Sequence, residues 1–92
     1  MKYVFLDGEK IGSNSELHLA FHKALSLPDY YGKNLDALND CITDISEPVC
    51  VIAVNTPLLA ENVGRRWKSF LRLMGDLEKK KKDFRFLEEP FC

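Results

Sequence analysis

Cysteine is scarce in this chain, with only Cys41, Cys50 and Cys92 among 92 residues. An odd number without clustered spacing excludes a disulfide framework and fits a reducing compartment. Cys41 and Cys50 stand in apolar patterns and are expected to behave as small buried hydrophobes. Long apolar runs are missing too. No stretch approaches the roughly 18 residues a membrane helix needs, so no span is expected. The opening residues, Met1 to Gly8, lack the long apolar region and small-residue cleavage site of a secretory signal, which predicts a cytoplasmic location without a membrane partner. There is no glycine-rich phosphate loop and no G-x-S-x-G elbow. His18 and His22 are four residues apart, but no glutamate lies between them and no third ligand is evident. They are therefore expected at the surface or its boundary, and no metal or other cofactor is expected. Cys41 lies among apolar residues, which predicts an inert thiol rather than a nucleophile. No constellation of catalytic residues remains, so the chain reads as a binding protein and not an enzyme.

What is present suits a small folded unit. Hydrophobic residues make up 46% and charged residues 29%, and the net charge is −1, so any preference for a charged partner must come from how charge is distributed. The length predicts one domain over residues 1–92. Tyr3-Val4-Phe5-Leu6 reads as a short strand ended by Asp7-Gly8. Ser13 and Glu16 make a capping box, and Leu17, Phe21, Ala24 and Leu25 follow at helical spacing up to the stop at Pro28. Asn34 can cap a second helix over about Leu35 to Asp44, with an apolar stripe of Leu35, Leu38, Cys41 or Ile42, and Ile45. The unbroken run Val49 to Val54 predicts a strand buried on both faces. Asn55-Thr56-Pro57 caps a short third helix ended by Gly64. A fourth helix, about Arg65 to Lys81, carries the stripe Trp67, Phe70, Leu71, Met74 and Leu77, and Phe84, Phe86 and Leu87 form a last strand. The order is β-α-α-β-α-α-β. Helical crossovers between strands predict an α/β fold with a three-stranded parallel sheet and about four helices.

The second helix and the loop before it carry an unusual charge pattern. From Asp29 to Glu47 the acids are Asp29, Asp36, Asp40, Asp44 and Glu47, against the single base Lys33. Asp36, Asp40 and Asp44 are spaced four apart and share a helix face. Like charges at that spacing repel by about 0.2–0.5 kcal/mol per pair. Asp36 is favoured by the helix N-terminus, whereas Asp40 and Asp44 lie toward the unfavourable end. Two readings fit: a solvated face that aids solubility, or a row relieved by a cationic partner. Tyr30 and Tyr31 stand beside the row, and an exposed tyrosine there would be a typical anchor. The pattern leaves open which of the two is exposed. On the fourth helix, Arg65, Arg66, Lys68 and Arg72 with Lys79 to Lys82 suggest a basic patch for nucleic acid. They lack interleaved aromatics of the stacking kind, since Trp67 and Phe70 belong to the apolar stripe, and lysines at a helix C-terminus complement its dipole without any ligand.

The stretch Leu27-Pro28-Asp29-Tyr30-Tyr31-Gly32-Lys33-Asn34-Leu35-Asp36-Ala37-Leu38-Asn39-Asp40-Cys41 resembles, without a gap, the signature of the barstar family, intracellular inhibitors of secreted ribonucleases such as barnase. Weaker similarity covers nearly the whole chain. The resemblance implies a barstar-like fold and an inhibitor that does no chemistry. It also implies a basic, secreted barnase-like ribonuclease as partner, no nucleic acid, and a monomer when free. By the same resemblance Tyr30 would be the aromatic anchor. Asp36 and Asp40 would meet the cations that normally grip RNA phosphate, with Asp40 central and Asp44 continuing the row. Gly32, Asn34 and Thr43 would pack or hydrogen-bond around them, and Leu73 and Asp76 would add an apolar contact and a carboxylate from the fourth helix. Both of these fall off the Trp67 stripe and so are expected to point outward. The sequence departs from the family in places. Asn39 replaces a large aromatic residue on the contact face, and Asp76 is one methylene shorter than the glutamate there. The stretch Asp44 to Glu47 differs, and Glu88 to Cys92 is extra. These differences bear on which partner is bound. A different basic protein as partner is the second reading, and a nucleic-acid module the third.

Overall fold

A computed structural model describes residues 2–27 and 34–88. The elements are β1 (Lys2–Asp7), α1 (Asn14–Leu25), α2 (Leu35–Asp44), β2 (Val49–Val54), α3 (Thr56–Val63), α4 (Arg66–Lys80) and β3 (Phe84–Glu88). The order is the predicted one. The strands form one parallel sheet in the order β1-β2-β3, with Val4 opposite Val51 and Val51 opposite Phe86. Each strand pair is joined through two helices, as parallel pairing requires.

One sheet face packs on the helices. Val4, Leu6, Val49, Val51, Ala53 and Phe84 are buried there, with Leu17 and Phe21 of α1, Leu38 and Ile42 of α2, Leu59 of α3, and Phe70, Met74 and Leu77 of α4. Phe70 is the hub. Its ring lies 5.4 Å from Trp67, 5.9 Å from Phe21 and 6.0 Å from Phe86, stacked on the first and edge-on to the others. The other sheet face departs from the expectation that β2 is buried on both sides. Cys50 is buried, but Ile52 and Val54 are only partly covered, because every helix-facing position has the opposite parity.

Several local expectations need correction. Ala24 is exposed, since Leu17, Phe21 and Leu25 complete the buried stripe of α1. His18 is buried, 1% exposed, because it follows Leu17 on the inward side of the same helix. Cys41 is half-buried rather than buried, with Ile42 taking the core position beside it. Asn55 occupies the N-cap position of α3 without capping it through its side chain. Its backbone is left-handed, φ 53°, and its Nδ2 donates instead to Asp7 Oδ1 at 2.8 Å. That bond closes the corner between β1 and α3. Gly8 is needed in the corner, since a Cβ there would stand 2.3 Å from the Asn55 carbonyl oxygen.

Candidate partner-binding face

The face is built on α2. Asn34 starts the helix, its Oδ1 accepting from the Ala37 N–H at 2.8 Å, with its backbone in the extended region a cap requires. Leu38 and Ile42 bury the inner side, which turns Asp36, Asp40, Thr43 and Asp44 to solvent. A step of four residues advances about 40° around a helix, so the three aspartates wrap through about 80° rather than lining one edge. Their surroundings follow from that drift. Asp36 faces α4, whereas Asp40 and Asp44 border a recess of about 260 Å³ with Leu25, Leu27, Cys41 and Ile45.

Asp36, Asn39, Leu73 and Asp76 meet in one recess of about 290 Å³ between α2 and α4. The fold thus brings together four of the sequence-predicted residues from two helices. Leu73 corrects an expectation: it is half-buried and packed against the core, because α2 lies beside α4 there. Asp76 is exposed as expected. Asn39 is half-buried, and among the described residues its Oδ1 has no hydrogen-bond partner. Thr43 donates its hydroxyl to the Asn39 carbonyl at 2.7 Å, one turn back along its own helix. Asn34 and Asp36 also line a neighbouring recess of about 410 Å³ with Asn14, His18, Leu35, Arg66 and Ser69. Tyr30 and Gly32 lie outside the described residues.

Two features were missed in the sequence. The first is Lys81. The last turn of α2 holds no basic residue. Lys81, 36 positions further along, supplies one: its Nζ donates to the Ile45 carbonyl at 2.8 Å and pairs with Asp83 at 2.8 Å. A cation is thereby placed at the end of the helix where Asp40 and Asp44 are least favoured. Replacing Lys81 with methionine is expected to destabilise the fold by about 1–2 kcal/mol in denaturant titration, since a carbonyl loses a charged donor. The bond from Lys81 also holds the Asp83 carboxyl below its ordinary 3.8. A lowered pKa contributes stability above the ordinary value, and this is lost as pH falls through the folded-state value. The Lys81→Met protein should accordingly lose less stability than the parent between pH 5 and pH 2. The second missed feature is that Arg72 and Lys80 line the same recess as Asp36 and Asp76. The spacing of Arg72, Asp76 and Lys80, four apart on α4, was the available signal. Among the described residues Asp36, Asp40, Asp44 and Asp76 form no ion pair with a lysine or arginine.

The row of aspartates acts on Cys41. Burial pushes its thiol up, and the negative charges of Asp44 and Asp40 push it further. A thiol held protonated in this way is a poor nucleophile. Among the described residues no three metal-ligating side chains cluster, and no helix is long and apolar enough to cross a membrane. The arrangement offers a rigid helix carrying exposed carboxylates, flanked by a half-buried leucine. It suits a cationic surface.

Comparison with known proteins gives the context of this face. The family model described as Barstar (barnase inhibitor) matches residues 1–89. A protein of Bacillus subtilis (strain 168) with the name "Putative ribonuclease inhibitor YrdF" is 30% identical over 84 residues, which cover 90% of this chain and 92% of that protein.

Proposed function

The chain belongs to the barstar family, and from that premise we propose that it inhibits a basic, barnase-like ribonuclease by seating the acidic face of α2 in the cationic active site. The carrying observation is the set of exposed carboxylates Asp36, Asp40, Asp44 and Asp76, without an ion pair among the described residues, on two helices locked together by the core. A nuclease site is preorganised for phosphate. Carboxylates held on a rigid helix occupy the same cations and present no bond to cleave. The inhibitor therefore blocks substrate entry by occupancy, and its own residues carry out no reaction. Asp40 is assigned the central contact, with Tyr30 and Gly32 in the preceding segment and Asn34, Asn39, Thr43 and Leu73 around it. The proposed site of action is the cytoplasm, where such an inhibitor protects the cell from a nuclease before export.

Titration into a barnase-like ribonuclease, followed by RNA cleavage, is expected to give stoichiometric loss of activity. Activity unchanged at a large excess of this protein would reject the reading. Complementary charge steers encounter, so the association rate should fall by about tenfold or more between 20 mM and 500 mM salt while the dissociation rate changes little. Stopped-flow fluorescence measures both rates. An association rate indifferent to salt would remove the electrostatic role of the aspartates.

Asn39 and the neighbouring Arg72 and Lys80 give a second reading, a basic partner other than a nuclease. Asn39 stands half-buried in the recess with both cations, which lower the net negative charge of this side of the face. Capture of a nuclease from the native lysate would decide against it.

A further inference from the structure

The sheet keeps one face uncovered by the helices. Strand pairing sets Phe5, Ile52 and Leu87 in one row across it, with Asp7 and Val54 in the next row toward the strand ends. Phe5 is 65% exposed and Leu87 44%, although parallel sheets are ordinarily covered on both faces. Between the outer face of β1 and α1 lies a recess of about 500 Å³. Its floor is apolar, made by Phe5, Val54, Ile11, Leu19 and Ala20. Leu19, on the stripe of α1 that borders it, is exposed as well.

The charges around the recess are Asp7, Lys10, Glu16 and Lys23. Both acids are engaged by the chain's own donors. Asp7 Oδ1 accepts from Asn55 Nδ2 at 2.8 Å and from the Glu9 N–H at 2.9 Å, and Glu16 Oε1 accepts from the Gly12 N–H at 3.1 Å. Lys10 lies near Asp7, and its charge adds to those bonds in holding the Asp7 carboxyl low. Lys23, in the last turn of α1, forms no ion pair with an aspartate or glutamate among the described residues. Asp83 and Arg85 stand at the other end of β3, the first paired with Lys81 and the second bonded to the Lys82 and Phe84 carbonyls. The recess thus combines an apolar floor with two lysines on its rim, a combination that fits an acidic segment carrying an aromatic side chain.

Such a segment follows β3. Val54 is the last residue of β2, and the register places residue 89 opposite it, so the ladder has no partner to offer beyond that point. The next residues are Glu89-Pro90-Phe91-Cys92, outside the described residues, and the last three also lie beyond the match to the family model. A residue before proline favours extended backbone, and proline itself is unsuited to a strand interior. Two strand spacings, about 10 Å, separate Glu88 from β1, and three extended residues span about 10 Å.

We propose that residues 89–92 turn back from the end of β3 across the outer sheet face and seat the Phe91 ring in the recess between β1 and α1, with Glu88 and Glu89 drawn by Lys10 and Lys23. The segment is tethered, so it meets the recess at an effective concentration in the millimolar range, and a small contact suffices. A separate molecule would need a larger interface than this recess provides. The helices lie on the opposite side of the sheet, so the acidic face of α2 stays available.

Nuclear magnetic resonance of the full chain tests this. Nuclear Overhauser contacts are expected between the Phe91 ring and the side chains of Leu19 and Val54, and dilution should leave them unchanged. Phe91→Ser should abolish them, shift the amide signals of Phe5, Leu19 and Val54, and lower the melting temperature by about 4–8 °C. Lys10→Glu combined with Lys23→Glu should weaken the same contacts, and adding Glu88→Lys and Glu89→Lys should restore them. Circular dichroism confirms that the variants keep the fold. Signal changes confined to residues beyond Leu87 in the Phe91→Ser protein would overturn the proposal and leave the face to a different protein. Contacts that fade on dilution would overturn it in favour of a second copy of the chain.

Discussion

Replacing Asp40 by alanine is expected to weaken binding of a barnase-like ribonuclease by about 4 kcal/mol or more, roughly a thousandfold, a range that central carboxylates reach in the barnase–barstar interface itself and not a value derived from this chain. The side chain is exposed on the outer side of α2, and Leu38 and Ile42 hold the helix from within. Its removal takes no packing away, so the unfolding midpoint should move little. The loss falls on the complex. The nuclease cations, stripped of water on docking, are left without their anionic partner, and an uncompensated buried charge is far more unfavourable than a lost surface pair. Inhibition titrations beside denaturant curves separate the two quantities. Full inhibition by a folded Asp40→Ala protein would remove Asp40 from the centre of the site. Asp44→Ala should do less, because the drift of the row carries Asp44 farther round the helix from Asp36 and Asp76.

Phe70→Ala is the substitution expected to harm the fold most. Phe70 is fully buried and touches aromatic rings of α1, α4 and β3. Truncation of a buried phenylalanine leaves a cavity and costs about 3–5 kcal/mol. A domain of this size has a total of only about 5–15 kcal/mol, so much of the margin disappears. Thermal denaturation followed by circular dichroism measures the effect. The consequence for binding is indirect. With α4 loosened, Leu73 and Asp76 no longer stand at fixed distances from α2, and a face that works by preorganisation loses affinity even in molecules that remain folded. A change below 1 kcal/mol would mean that Phe70 is not the hub its ring contacts describe.

Much of this was legible in the chain itself. The bounds of α2 follow from Asn34, which reads as a cap and is one, and from an apolar stripe through Leu38 that left Cys41 and Ile42 as alternatives until packing chose Ile42. The parallel sheet follows from strands that no hairpin can join. The acidic row was visible as spacing. What escaped was whatever depends on neighbours distant in sequence. His18 reads as polar, and only the packing of α1 shows it inside. Leu73 breaks the stripe of α4 and is nevertheless half-covered, because a second helix lies alongside. Lys81 reads as part of a lysine run, and its bond to Ile45 depends on a turn between α4 and β3 that no local pattern encodes. The run Val49 to Val54 is apolar on both sides, yet apolarity does not say whether helices cover both of them. Asn55 has the composition of a cap and instead serves β1, because its left-handed backbone aims the side chain at Asp7.

The strand pairing has a kinetic consequence. Lys2 pairs with Val49, and Val49 with Phe84, so the sheet joins segments separated by 47 and 35 residues. Such contacts repay the loss of chain entropy only after long loops have closed, which slows folding relative to a helical bundle of equal length. During that interval the central strand, Val49-Cys50-Val51-Ile52-Ala53-Val54, lies without partners on either edge. It is apolar and uncharged, and so is the segment most open to proteases and to pairing with other chains. The longer the sheet takes to close, the longer this segment stays exposed, so changes that slow closure are expected to lower the yield of folded protein before they change its stability.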